Sequence, residues 1–168
     1  MIRFIASLGA CVAVAGCSVA TPIEEFTLVQ GDPVLTDVKV ADRPGGATGK
    51  APGDLLAFDA PISRDGEVVG DLSGLLTTVG IPAPDATGRD TLEERFATLV
   101  FRFDDVDSIV VGGSAVYPPA ESEMSAEAPQ LRAVLGGTGA YVAATGEVET
   151  VRNADGTYSH RFTLYKVK

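Results

Sequence analysis

The chain has 168 residues and a formal net charge of −10, with 13 basic against 23 acidic side chains. That balance repels phosphate backbones and anionic lipid, and no basic cluster interrupts it, so nucleic acid is excluded as a partner and the acidity itself serves solubility. Two cysteines, one histidine, 19 glycines, 10 prolines and no tryptophan leave no donor set for a metal centre and favour short strands and turns over helices.

Arg3 precedes an uncharged stretch, residues 4–14, too short to span a bilayer and of the right length for the apolar region of a signal peptide. Val14-Ala15-Gly16-Cys17 has the form of a bacterial lipobox, in which Cys17 is lipidated and becomes the first mature residue. Ser18-Val19-Ala20 offers another cut, after Ala20, which would release the chain without an anchor. Residues 1–20 are therefore read as a processing segment and residues 21–168 as one domain. The expected location is outside the cytoplasm, lipid-anchored to the cell membrane or secreted. Cys11 leaves with the leader, so the mature chain has no intramolecular disulfide. About 150 mature residues suffice for one domain with its own core.

Residues 26–30 and 34–40 open the sheet, broken at Gly31-Asp32-Pro33, where proline denies the ladder a donor. Residues 42–52 form a loop. Strands at 54–60 and 68–79 flank the hairpin turn Arg64-Asp65-Gly66-Glu67, and residues 81–90 form another long loop. Strands 95–103 and 108–117 pair across the acidic turn 104–107. On the first of them Phe96, Thr98 and Val100 share one face and Leu99, Phe101 and Phe103 the other. Both faces are apolar, as expected when one fills a barrel and the other is covered, for instance by a neighbouring subunit.

Residues 118–129, with Glu121, Glu123 and Glu127, are too acidic and proline-bounded for core and have room for a short helix. Strands 133–135, 141–151 and 157–165 finish the sheet, the last two joined by Asn153-Ala154-Asp155-Gly156. Gly136, Gly137 and Gly139 mark a tight turn, because Glu147-Val148-Glu149-Thr150-Val151 alternates with period two. They do not form a dinucleotide fingerprint, since the position three after Gly139 is Val142 and no helix follows. Eight or so strands make an all-β, closed antiparallel barrel, whose inside holds side chains or one small ligand.

No nucleophile triad is present: Ser73 lacks the glycine-flanked elbow and His160, on a terminal strand, reads as an exposed residue rather than a base. Asp59, before Ala60-Pro61, reads as a turn residue. Period two selects Leu56, Phe58, Leu76, Thr78, Val100 and Tyr117 as the lumen lining, with a filled core as the alternative. An apolar cavity of that kind can hold a flexible substrate in a near-attack shape and remove several kcal/mol of barrier.

Three segments stand in a fixed order: 53–61 (Gly-Asp-Leu-Leu-Ala-Phe-Asp-Ala-Pro), 69–74 (Val-Gly-Asp-Leu-Ser-Gly) and 135–141 (Leu-Gly-Gly-Thr-Gly-Ala-Tyr), with strands 95–103 and 107–117 between them. Together they resemble the allene oxide cyclase and dirigent proteins, which share one small β-barrel, over about Glu24 to Leu164. The resemblance implies an eight-stranded barrel behind a cleaved signal segment, no cofactor, and a small hydrophobic molecule in the lumen. It also implies a homotrimer, with Leu99, Phe101 and Phe103 as its contact surface if they face outward.

Carried over residue by residue, the cyclase likeness places Pro33 on that family's water-holding proline and Glu24, nine residues earlier, on its glutamate. Its asparagine is replaced by Ala60, its cysteine by Leu76 and its tyrosine by Ala115, with Tyr117 two residues on and on the same face. The implied catalytic set is Glu24, Pro33 and Tyr117. The dirigent likeness rests on Phe58-Asp59-Ala60-Pro61 and Val134-Leu135-Gly136-Gly137-Thr138-Gly139, and brings Arg132 to the ligand as the nearest match to that family's arginine. The implied function is a barrel that binds a small hydrophobic ligand and guides its cyclisation or coupling. The lost polar positions point instead to a non-catalytic ligand-binding or scaffold lipoprotein of the envelope.

Overall fold

The computed structural model describes residues 22–38, 51–80, 92–118 and 123–165. Cys17, the cut after Ala20 and the expected loops 42–50 and 81–90 lie outside the described residues. The strands are β1 (Pro22–Gln30), β2 (Val34–Val38), β3 (Leu55–Arg64), β4 (Glu67–Gly80), β5 (Glu93–Arg102), β6 (Ser108–Tyr117), β7 (Gln130–Thr138), β8 (Thr145–Arg152) and β9 (Tyr158–Tyr165). From β3 to β9 each strand pairs antiparallel with the next, β9 pairs with β1, and β1 closes on β3 through Val29↔Ser63 and Gln30↔Ile62. The result is a closed eight-stranded barrel. The break at Gly31-Asp32-Pro33 divides one edge: β2 carries on along β3 from Val34↔Asp59 to Val38↔Leu55.

Turn chemistry accounts for the closed end away from the mouth. Asp65 and Gly66 have φ of 53° and 84°, the paired positive values of the tight turn that matches strand twist, between Arg64 and Glu67. In the β5–β6 turn the Asp104 carboxylate accepts from the amides of Val106 and Asp107 at 2.7 and 2.6 Å. Asp107 Oδ1 accepts from the Ala140 amide at 2.9 Å, tying that turn to the 3-10 turn Gly139–Tyr141.

The glycine cluster is only partly a turn. Gly136 and Gly137 belong to β7, and the chain reverses after them. A Cβ on Gly137 would stand 2.2 Å from the Ser108 carbonyl oxygen, so close strand approach, not turning, excludes a side chain there.

Inside, the barrel differs along its length. At the closed end Phe26 stacks on Phe162 with centroids 4.9 Å apart, Phe101 meets Phe162 edge-on at 4.9 Å, and Phe103 packs on Tyr141 at 5.2 Å. That half is filled by aromatic rings. Toward the other end the inward positions turn polar, and a cavity remains.

The structure departs from the sequence expectations at β5, at His160 and at residues 123–129. On β5 the inward face is Glu93, Arg95, Ala97, Leu99 and Phe101, so Val100 lies on the outer side of the wall and does not line the lumen. Leu99 and Phe101 are consequently core and supply no subunit contact. His160 is buried, sharing its face with Phe162 and Leu164. Residues 123–129 contribute to the core after all: Met124 is 3% exposed, and its amide donates to the Tyr158 hydroxyl at 3.3 Å. No helix forms in 123–129, whose one ladder contact is the bridge Ala126↔Arg152.

Candidate ligand site at the barrel mouth

Strand parity and direction bring together the ends of β1, β4, β6 and β8 and the beginnings of β3, β5, β7 and β9. A cavity of about 70 Å³ opens there, lined by Pro33, Leu35, Leu56, Phe58, Leu76, Leu99, Met124 and Tyr158 and, among polar groups, by Gln30, Tyr117, Glu123, Arg132, Thr150 and His160. The volume is well below the few hundred Å³ of a typical small-molecule pocket, yet several times what one water requires. Phe58 reaches the wall across Gly74, its cross-strand partner, whose Cβ would lie 2.2 Å from the ring.

Two polar clusters reach this cavity, one through Gln30, Thr150 and His160 and the other through Tyr117 and Arg132. In the first, the neutral His160 ring is held at both nitrogens: Nε2 donates to Gln30 Oε1 at 3.1 Å and the Thr150 hydroxyl donates to Nδ1 at 3.0 Å. Full burial, with the positive charge of Arg132 near it, pushes the His160 pKa from 6.5 down to about 3, so the imidazole stays uncharged. In the second, Arg95 bonds Glu93 Oε2 at 2.8 Å, and both side chains are buried. Arg95 also lies over the Tyr117 ring, its Cζ 4.3 Å from the centroid. Arg132 Nη2 donates to the Tyr117 hydroxyl at 3.4 Å. Burial raises the Tyr117 pKa despite the two guanidinium groups that oppose it, so the phenol keeps its proton.

The expected site residues separate. Leu56, Phe58, Leu76, Pro33, Tyr117 and Arg132 meet at the mouth. Thr78 is buried beside Asp54 and Arg95 in a smaller recess lined also by Asp37, Leu55, Leu56 and Leu76. Glu24 is on β1, not in a linker, but at the opposite end: it lines a groove with Ile23, Tyr141, Val142 and Leu164. Six residues of strand, about 20 Å, separate it from Gln30. Glu24, Pro33 and Tyr117 therefore cannot act on one molecule held at the mouth. Asp59 points outward and accepts from the Ser73 hydroxyl at 2.6 Å.

Sequence reasoning missed Glu93, Arg95, Gln30, Thr150, Met124 and His160. For His160 the signal existed, since it stands two residues before Phe162 and four before Leu164, on one face of a strand. For Gln30 and Met124 only the closure of the barrel reveals the neighbourhood. Among the described residues no group of three His, Cys, Asp or Glu side chains is placed to hold a metal ion, and no helix is long and apolar enough to cross a membrane.

Comparison of the sequence with protein-family profiles and with curated proteins gives no match. Solved structures do match. A pyocyanin demethylase aligns over 84% of this chain and 99% of its own with TM-score 0.61 and 22% identity. A pterocarpan synthase dirigent protein aligns over 98% of this chain and 99% of its own with TM-score 0.56 and 16% identity. At such identity the likeness concerns the backbone, and what the chain shares with these proteins is the dirigent-like β-barrel fold.

Proposed function

We propose that the barrel binds one small, largely apolar organic molecule end-on in its mouth, and that the shape of the site, more than any reactive side chain, governs what happens to that molecule. The observation that carries this reading is the uneven filling of the lumen: rings seal one half, while the other keeps an apolar-walled cavity that two polar clusters reach. One end of the ligand enters the cavity and the rest lies between Pro33, Leu35 and Met124. The two structural neighbours, named for demethylating pyocyanin and for pterocarpan synthesis, support the class of small organic ligands. Native mass spectrometry with a panel of lipids and phenolic compounds tests it. One-to-one adducts in the wild type that disappear in Leu56→Trp, which fills the cavity, are expected; no adduct with any compound would end the reading.

Whether the bound molecule is cyclised, coupled or only held is a separate matter. The distance of Glu24 from the mouth, and the ion pair that engages Glu93, favour the non-catalytic alternative over an allene oxide cyclase type of reaction. Product analysis decides: a changed stereochemical ratio or rate with protein present supports guidance, and identical products support a binding protein. Location outside the cytoplasm, by an anchor on Cys17 or by release after Ala20, is read from the intact mass of the chain recovered from membrane and medium.

The trimer implied by the resemblance has to use outward residues, and Leu75, Phe96 and Leu135 are among the exposed apolar ones on β4, β5 and β7. Light scattering that finds a trimer in the wild type and a monomer in Phe96→Glu would support it; a monomeric wild type would end it.

A further inference from the structure

Among the described residues, none supplies a counter-charge to Arg132 in the lumen. Arg132 sits on β7 at 4% exposure, and its Nε is buried with no hydrogen-bond partner. Its one polar contact among the described residues is the long 3.4 Å bond to the Tyr117 oxygen. The neighbouring cations differ in having carboxylates: Arg95 is paired with Glu93, and Arg152, whose Nε also lacks a partner, with Glu123 at 2.5 Å. Burial holds the Arg132 guanidinium below its usual pKa, and what opposes that shift is the Tyr117 and Tyr158 hydroxyls, not a carboxylate. A buried guanidinium that lacks an anion is costly, and a neutral His160 beside it offers no relief.

Resting on the lumen-binding reading above, we propose that the ligand of this mouth is a monoanion, whose charged oxygen is received deep in the cavity by Arg132 and Tyr117 while its apolar body lies against Leu56, Phe58 and Met124. The Tyr117 oxygen already accepts from Arg132, so its own proton is directed to a second acceptor, and no described residue takes it. The Arg132 guanidinium and the Tyr117 hydroxyl, both at the cavity wall, thus supply donors for one incoming oxygen. One unpaired cation and about 70 Å³ of space suit a single negative charge on a small group, which a carboxylate, a phenolate or an enolate supplies equally. A dianionic phosphate would exceed both the available charge and the apolar surroundings.

The test is isothermal titration of the full barrel with matched pairs: 2-naphthoate against 2-naphthamide, and 4-nitrophenol against 4-nitroanisole. The anions are expected to bind at least about tenfold tighter than their neutral partners, the equivalent of one charge-assisted hydrogen bond. Bound 4-nitrophenol is expected to show the phenolate absorption band at a pH where the free compound shows mostly phenol. Arg132→Met should erase both the preference and the band while leaving the neutral compounds bound, and Arg132→Lys should keep part of each. Preference for the naphthoate alone assigns a carboxylate, and for the nitrophenolate alone a phenolate or enolate.

Equal binding of anion and neutral partner would overturn the anion proposal and leave the lumen reading standing. Binding of neither compound would overturn the lumen reading itself. Anion preference unchanged in Arg132→Met would place the charge elsewhere and overturn the assignment. If Arg132→Met fails to fold, the wild-type comparison and the absorption band still decide.

Discussion

Two arginines are buried in the same half of one lumen, and their partners make them opposite contributors to stability. Arg95 is ion-paired to a carboxylate that is itself buried. Arg95→Met therefore removes a buried ion-pair partner of Glu93, and a loss of about 3 kcal/mol in denaturant unfolding is expected. Arg132 has no such partner among the described residues, so Arg132→Met should raise stability by about 1 kcal/mol in the absence of ligand, as charges kept for function do when removed. Both variants moving in the same direction would contradict the pairing described here.

His160 gives the residue-scale pH dependence. The unfolded chain takes up the imidazole proton near pH 6.5, whereas the folded chain resists until about pH 3. The unfolded state therefore binds more protons throughout that window, so stability is complete above it and declines as pH falls through it, by an amount on the order of 5 kcal/mol at the acid end. Urea midpoints should be flat above neutrality and fall from about pH 6.5 to 4.5, above the carboxylate range. His160→Gln should flatten that segment, and an unchanged slope would show that other groups cause it.

At the scale of elements, β5 explains why one face was misread. Phe96, Thr98, Val100 and Leu99, Phe101, Phe103 are equally apolar sets, so alternation alone does not say which is inside. The answer comes from register: Arg95↔Ala115 and Glu93↔Tyr117 put both charged residues over the inward face of β6. The adjoining wall, where Gly74 of β4 pairs with Leu99 of β5, is shaped by an absence of side chain. Gly74 leaves the space that the Phe58 ring crosses, so Gly74→Ala should displace the ring into the cavity, cost about 1 to 2 kcal/mol and weaken ligand binding. If the alanine variant keeps wild-type stability and affinity, the ring is not held there.

At the scale of the molecule, the barrel closes through a thin seam. Two residue pairs join β1 to β3, against eight between β8 and β9. Hydrogen exchange should be faster at Val29, Gln30, Ile62 and Ser63 than along β8 and β9, because local opening follows the weakest ladder. Gln30 also lines the mouth, so a bound ligand should slow exchange at the seam. Seam amides among the slowest in the protein would show that closure is not its weak point.

The chain's order of strands, its Asp65-Gly66 and Asn153–Gly156 hairpins and the break at Pro33 were legible without coordinates, because period-two alternation and turn chemistry act between residues close in sequence. The inward placement of Leu56, Phe58, Leu76, Thr78 and Tyr117 followed from the same alternation, which failed at Val100, whereas Arg132 came from the resemblance alone. What only the tertiary structure decided is which groups meet. Glu24 and Gln30 lie on one strand, yet belong to opposite ends of the barrel. His160 and Gln30 stand 130 residues apart in the chain and share a hydrogen bond. Long-range register and closure determine such neighbours, and no local pattern encodes them.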